Sequence, residues 1–388
     1  MSTTNYLERA ESLAPLLERM APQMERAHEL APEVVAALHG AELYRLLLPR
    51  SLGGAELPPA DFVEVIEAIA KADASTAWCL GQAGGCAMSA AYLPSAVARE
   101  VFGPTHAVLA WGPPNRDGRA VPVDGGYIVN GSWPFASGSR HATWLGAHAA
   151  VFGRDGKPAA AGSAPLAEPT FLFPRVSAII HDTWQVVGLK ATGSDTYVAK
   201  DLFVPESHVY LRDDPKHRRE NGPLYRFSTY QIYGAAFAAV ALGIARATQD
   251  AFIALAREKT GFLMASPMRD NAAIQGQVAT SEVMLRSARL FLIDNLRAAH
   301  DEAARHGEIE FDRRLAMRMG ATYATHQAKD VVDACYYAAG ATAIFEANPF
   351  ERRFRDMHAV AQQSQARMMH MEAVGRTLLG AGPPSYAT

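Results

Sequence analysis

The stretch V-N-G-S-W-P-F-A-S-G-S, residues 129–139, decides how this chain is read. On an extended strand side chains alternate between faces, so Trp133, Phe135 and Ser137 share one side. That side carries two aromatic rings and ends in a hydroxyl. Such a wall suits a flat conjugated cofactor, with rings packing on it and one short polar group reaching a heteroatom at the edge. An ordinary half-buried strand closing in a Ser-Gly turn has the same pattern, and spacing alone favours that simpler reading.

Around this stretch the texture of the chain changes twice. Residues 5 to about 107 have helical periodicity, with Leu7, Leu13, Leu16, Leu17 and Met20 spaced as on a packed helix. Pro49, Gly53, Gly54, Pro58 and Pro59 interrupt, and helix resumes near Ala60. From 108 the pattern is short strands between turns. D-G-G at 124–126 lies between V-P-V and Y-I-V, a hairpin signal, and F-L-F at 171–173 and Y-V-A at 197–199 read as further strands. Ala-rich helical segments follow at 228–258, 271–306, 312–340 and 356–379, the pattern of an up-down bundle. The expected domains are therefore 1–107 helical, 108–225 β and 226–388 a helical bundle. Segment 228–247 is apolar on nearly all faces, so it is expected to be buried all round, within a domain core or between subunits.

Composition excludes more than it suggests. A chain of 388 residues, 49% hydrophobic and 20% charged, can bury a large core. Its net charge of −3 gives no basic field for nucleic acid or an acidic membrane. No run of ~18 apolar residues suggests a membrane helix, and the polar N-terminus has no signal-peptide pattern, so a cytoplasmic protein is expected. Cys79, Cys86 and Cys335 lack ligand spacing and read as small buried apolar residues. His358 and His370 are too far apart for joint ligation, no metal motif occurs, and the nucleotide-binding glycine loops and the G-x-S-x-G elbow are absent.

Further motifs give the 129–139 stretch a context. V-G-L-K-A-T-G-S-D-T spans 187–196, and D-L-F-V-P-E spans 201–206. A-E-L-Y-R-L-L-L-P-R-S-L-G-G at 41–54, D-A-S-T-A-W at 73–78 and E-R-R-F-R-D at 351–356 complete the set. In this order they resemble the acyl-CoA dehydrogenase-like superfamily. The similarity is greatest to its reduced-flavin-dependent (group D) monooxygenases, the oxygenase components of two-component aromatic hydroxylases. The resemblance implies an α+β, mostly α fold: an N-terminal helical domain, a central β-barrel or sheet domain and a C-terminal four-helix bundle. It implies diffusible reduced FMN or FAD as cofactor, O2 as co-substrate and an NAD(P)H:flavin reductase as partner. A small aromatic or heteroaromatic substrate and a homotetramer, a dimer of dimers, are implied as well.

The same resemblance assigns residues. Trp133, Phe135, Ala136 and Ser137 would contact flavin, with Ser137 near the reactive N5 edge, where it helps hold the C4a-hydroperoxide. Thr192, Gly193 and Ser194 match a second flavin-contacting segment, with Trp184 supporting it. Taken alone, T-G-S-D reads as a plain turn. Trp78 and Gln82, one turn apart on one helix, would line a substrate cavity among small residues including Gly81, Gly84 and Gly85. Lys259 reads as a solvated charge.

Two departures discriminate the branches. Where dehydrogenases resemble one another in T-E-P-x-x-G-S-D, residues 110–118 read A-W-G-P-P-N-R-D-G. A-V-A-Q-Q-S-Q-A-R after Asp356 also lacks the acid that would take an α-proton, and Glu346 reads as a structural residue before Pro349. An acyl-CoA dehydrogenase-like FAD oxidoreductase is thus the weaker alternative, with an N- or S-oxygenase of the same fold as a further one. Many of the monooxygenases place a histidine seven residues after the R-D aspartate, where this chain has Gln363. Glutamine can orient a substrate but cannot exchange a proton. The base is then His358, another group, or absent.

Overall fold

The structure, a computed structural model, describes residues 3–153, 168–262 and 265–382. The N-terminal part is helical: α1 (Thr3–Ser12), α2 (Ala14–Ala27), α3 (Pro32–Gly40), α4 (Pro59–Ala72), α5 (Ala74–Ala87) and α6 (Ser95–Phe102). Proline at the start of α2, α3 and α4 forfeits no helical hydrogen bond there. Asp73 caps α5, its Oδ1 accepting from Thr76 N at 2.8 Å and Thr76 Oγ1 at 2.7 Å. That cap fixes where α5 begins, and with it the position of Trp78.

The middle of the chain forms two sheets. They are built from β1 (Leu109–Ala110), β2 (Arg119–Val123), β3 (Gly126–Trp133), β4 (Trp144–His148), β5 (Ala150–Val151), β6 (Thr170–Pro174), β7 (Ile179–His181), β8 (Thr196–Pro205) and β9 (Val209–Tyr210). One sheet runs β1-β4-β6-β9, the other β5-β2-β3-β8-β7. The D-G-G hairpin forms as read: Val123 pairs with Gly126, and Gly125 takes φ +80° in the turn. β3 pairs with β8 through Trp133 opposite Tyr197, after a register shift between Val129 and Gly131.

The C-terminal part holds α7 (Thr229–Glu258), α8 (Ala272–His306), α9 (Phe311–Ala339), α10 (Phe350–Val360) and α11 (Met369–Leu378). Ser228 and Gln231 close α7 in a reciprocal capping box. α7 packs on α9, α4, α5, α10 and α8, so its all-round apolar surface is buried largely within this one chain. It is also long and apolar enough by composition to cross a membrane, contrary to the sequence reading, but 67% of its most apolar window is buried among these neighbours.

The segment read as one helix over 356–379 is broken. α10 stops at Val360, a short 3₁₀ turn covers Ser364–Ala366, and α11 starts at Met369. The polar run is the cause. Gln363 has an extended ψ of 157° and its side chain accepts from Gln365 N at 2.7 Å, a local bond that competes with the helix.

Candidate active site

The row Trp133, Phe135, Ser137 is not one face. β3 ends at Trp133, and Phe135 sits at φ +59°, a conformation rare for a bulky residue. Trp133 is fully buried, stacked on Tyr197 with centroids 5.4 Å apart, and its Nε1 donates to His148 O at 2.9 Å. It is a core residue and lines no surface, which corrects its place in the expected cofactor wall. Beyond it the chain leaves the sheet, Ala136 packs inward, and Phe135 stands 60% exposed with its ring edge-on to Trp184 at 5.9 Å.

Two loops then join. Ala136 N donates to Asp195 O and Gly138 N to Thr192 O, each at 3.0 Å. The join brings three hydroxyls into line: Ser137 Oγ lies 2.7 Å from Ser194 Oγ, which lies 2.7 Å from Thr192 Oγ1. Thr192 Oγ1 donates to Leu189 O at 2.8 Å. At the other end Trp78 Nε1 donates to Ser137 Oγ at 3.0 Å. The structure thus unites Trp78, Ser137, Ser194 and Thr192 in one hydrogen-bonded line, whose two long-range links span 59 and 57 positions of the sequence.

The second loop is held from three sides. Asp195, fully buried, accepts from Thr183 N, Trp184 N and Arg140 Nε at 2.9, 3.1 and 2.6 Å. Trp184 Nε1 donates to Leu189 O at 3.0 Å, the supporting role expected of it. Leu189, at φ +53°, donates its N–H to Asp356 Oδ1 at 2.6 Å. Gly188 allows that approach, since a Cβ there would meet Arg355 O at 2.1 Å. Gly193 takes φ +49°, with Arg140 against it. Burial pushes the Asp356 carboxyl up to about 7, with Asp73 and Glu25 adding and Leu189 N–H and Arg352 opposing.

Other expected residues have different surroundings. Gln82 does lie one turn beyond Trp78 on α5, but its Nε2 donates to Trp111 O at 3.2 Å. The glycines near it do not leave open room. Cβ atoms at Gly81, Gly84 and Gly85 would meet Ala236, Phe62 and Tyr233 at 3.2, 2.6 and 2.3 Å, so small residues let α4 and α7 approach α5 closely. His358 Nε2 pairs with Asp333 at 2.9 Å and its ring lies on Phe354, apart from the hydroxyl line. Gln363 caps its 3₁₀ turn. Lys259 is not a solvated charge: its Nζ bonds Ala339 O and Thr342 Oγ1, each at 2.7 Å. All three cysteines are buried and free, and burial raises each thiol.

Sequence reasoning missed two partners. Phe237 of α7 stacks on Trp78 at 3.8 Å and continues to Tyr233 at 5.6 Å, an aromatic stack that no motif announces. Asp356 ends the quoted E-R-R-F-R-D motif, but its bond to a loop 167 residues away has no local signal. His141, next to Gly138, bonds Tyr44 OH at 3.1 Å, and burial with His39 and Arg175 nearby pushes it down to about 4. Among the described residues no group of three His, Cys, Asp or Glu side chains could hold a metal.

Comparison with known proteins shows the family and the fold. Residues 10–100 and 235–367 match the N-terminal and C-terminal acyl-CoA dehydrogenase domains. The chain is 30% identical over 369 residues to an indole-3-acetate monooxygenase of Pseudomonas putida, covering 94% of this chain and 91% of that one. It is 30% identical to the flavin-dependent monooxygenase oxygenase subunit HsaA of Mycobacterium tuberculosis, covering 92% and 90% of the two chains. The crystal structure of HsaA from M. tuberculosis matches with a TM-score of 0.90 at 27% identity, over the whole of both chains. XiaF from Streptomyces, in complex with FADH2 and glycerol, gives a TM-score of 0.90 at 25% identity over 98% and 96% of the chains.

Proposed function

The chain belongs to the flavin-dependent monooxygenases built on the acyl-CoA dehydrogenase fold, and from that premise we propose that it oxygenates a small aromatic or heteroaromatic substrate with reduced flavin supplied by a separate NAD(P)H:flavin reductase. The observation that carries this reading is the Trp78–Ser137–Ser194–Thr192 line beside the exposed ring of Phe135. A flat ring fits there: Phe135 offers a face, and Ser137 a polar atom for the ring's N5 edge. Bound reduced flavin supplies the activation of O2 from which one oxygen atom passes to the substrate.

The remaining roles fall to this chain's own side chains. Trp78, braced by Phe237 and Tyr233, offers a flat apolar surface for a planar substrate. Gln363, which cannot take a proton, stands where many of these monooxygenases have a histidine, and burial makes His141 a weak base by pushing it down to about 4, so both favour a reaction without a general base. Its substrate would already be electron-rich. A cytoplasmic location, where a reductase has NAD(P)H, belongs to the same reading.

Because the cofactor arrives reduced, the protein is expected to bind reduced flavin more tightly than oxidised flavin. Anaerobic and aerobic titrations measure both, and 18O2 with a panel of phenols and indoles identifies product. A stoichiometric, tightly bound yellow FAD that an acyl-CoA reduces would overturn the reading.

A dimer of dimers is part of the proposal as well. Val283 and Leu290 of α8, and Tyr337 of α9, which is 87% exposed, are large apolar side chains left uncovered in one copy. Light scattering is expected to give four times the chain mass of 41.8 kDa. A monomer at working concentration excludes it.

A further inference from the structure

Three close oxygen–oxygen contacts run in a line from Ser137 to a carbonyl. They are Ser137 Oγ to Ser194 Oγ at 2.7 Å, Ser194 Oγ to Thr192 Oγ1 at 2.7 Å, and Thr192 Oγ1 to Leu189 O at 2.8 Å. At such distances each pair needs a hydrogen between its oxygens, because two bare lone pairs repel. Three hydroxyl protons are available, and the carbonyl brings none. Protons and contacts match one to one in a single arrangement: Thr192 donates to Leu189 O, Ser194 to Thr192, and Ser137 to Ser194.

The other end of the line agrees. Trp78 Nε1, which can only donate, gives its hydrogen to Ser137 Oγ at 3.0 Å. The carbonyl end is anchored, since Leu189 is fixed through its N–H by Asp356 and also receives Trp184 Nε1. Ser194 and Thr192 are 3% and 2% exposed, so water has little access to break the order. Ser137 therefore has its proton committed inward, and what remains toward the site is a lone pair.

We propose that this line fixes Ser137 as a hydrogen-bond acceptor toward bound flavin, so that Thr192 and Ser194 select the reduced ring, whose N5 carries a hydrogen, over the oxidised ring, whose N5 offers a lone pair. The proposal rests on the reading that the flavin edge meets Ser137. Thr192 and Ser194 act through Ser137 and are positioning residues: they set the direction in which its proton points. Preference for one redox state then comes from a buried polarity and needs no movement of the backbone.

The test is equilibrium binding of FMN and FAD, oxidised in air and reduced under anaerobic conditions, with no turnover. In Ser194→Ala the Ser137 proton loses its inward partner and can turn to the ligand. Affinity for oxidised flavin is expected to rise about tenfold, the factor one hydrogen bond carries, while that for reduced flavin stays level or falls. Thr192→Val keeps the volume and leaves two protons for the one contact between Ser137 and Ser194, so it is expected to shift the ratio in the same direction. It also serves if Ser194→Ala fails to fold. Ser194→Thr retains the hydroxyl and is expected to restore the wild-type ratio. If Ser194→Ala and Thr192→Val leave the ratio unchanged while Ser137→Ala alters flavin affinity, the polarity is overturned and the flavin placement stands. If Ser137→Ala alters neither affinity, the placement itself fails and takes this proposal with it.

Discussion

Ser137→Ala is expected to uncouple the enzyme: more hydrogen peroxide per flavin oxidised, and product formation lower by about a hundredfold. That factor corresponds to the ~3 kcal/mol typical of one polar group acting at the reacting centre. The loss has a structural part too. Without Ser137 Oγ, Trp78 Nε1 loses its acceptor and Ser194 its donor. Partners left unsatisfied at a largely buried site cost about 1–3 kcal/mol in stability, more than the ~1 kcal/mol of an isolated bond. A peroxide assay run beside product chromatography reads the coupling, and thermal unfolding reads the stability. Unchanged coupling in a folded variant would move the reactive edge of the flavin away from Ser137.

The reach of sequence reasoning differs by residue, for physical reasons. Periodicity found α7, α8 and α9 and the D-G-G hairpin, because each is set by local pattern and a local turn. It failed at Trp133–Ser137, where alternation stops at Pro134 and Phe135 adopts a positive φ, a tertiary choice without local precedent. It failed again at 361–368, where glutamine and serine bonds to the backbone outweigh helix propensity. Motif resemblance singled out Ser137, Thr192, Ser194 and Trp78, but not their arrangement in a single line. That arrangement depends on α5, two β-region loops and α10 meeting, and such meetings of distant segments leave no mark in spacing. Asp356 is the clearest instance, quoted within a motif while its partner Leu189 lay far upstream.

Asp356 carries the largest expected effect on stability. Its carboxyl is buried, and burial lifts it from an ordinary 3.8 to about 7, with Asp73 at the start of α5 and Glu25 of α2 adding to the rise. Leu189 N–H and Arg352 oppose that rise without cancelling it. A carboxyl raised on folding binds a proton in the folded state at pH values where the unfolded chain has released it. Its contribution to stability is therefore complete below about pH 4 and is lost as pH rises through about 7. A gap of about three pH units at ~1.36 kcal/mol each is on the order of 4 kcal/mol. Asp356→Asn keeps an oxygen for Leu189 N–H and has no proton to lose. The variant is expected to exceed the wild type in stability at pH 8 and to converge with it toward pH 4. Asp356→Ala, by contrast, leaves Leu189 N–H unpartnered and is expected to lose about 1–3 kcal/mol at low pH. It would also loosen the loop that carries Thr192 and Ser194, and weaken flavin binding with it. Urea unfolding of the three proteins at pH 5 and pH 8 separates the two effects. If Asp356→Asn is the less stable protein at pH 8, with the wild-type dependence on pH, the carboxyl is ionised in the folded state and serves as a charged anchor for Leu189 and the neighbouring Arg352.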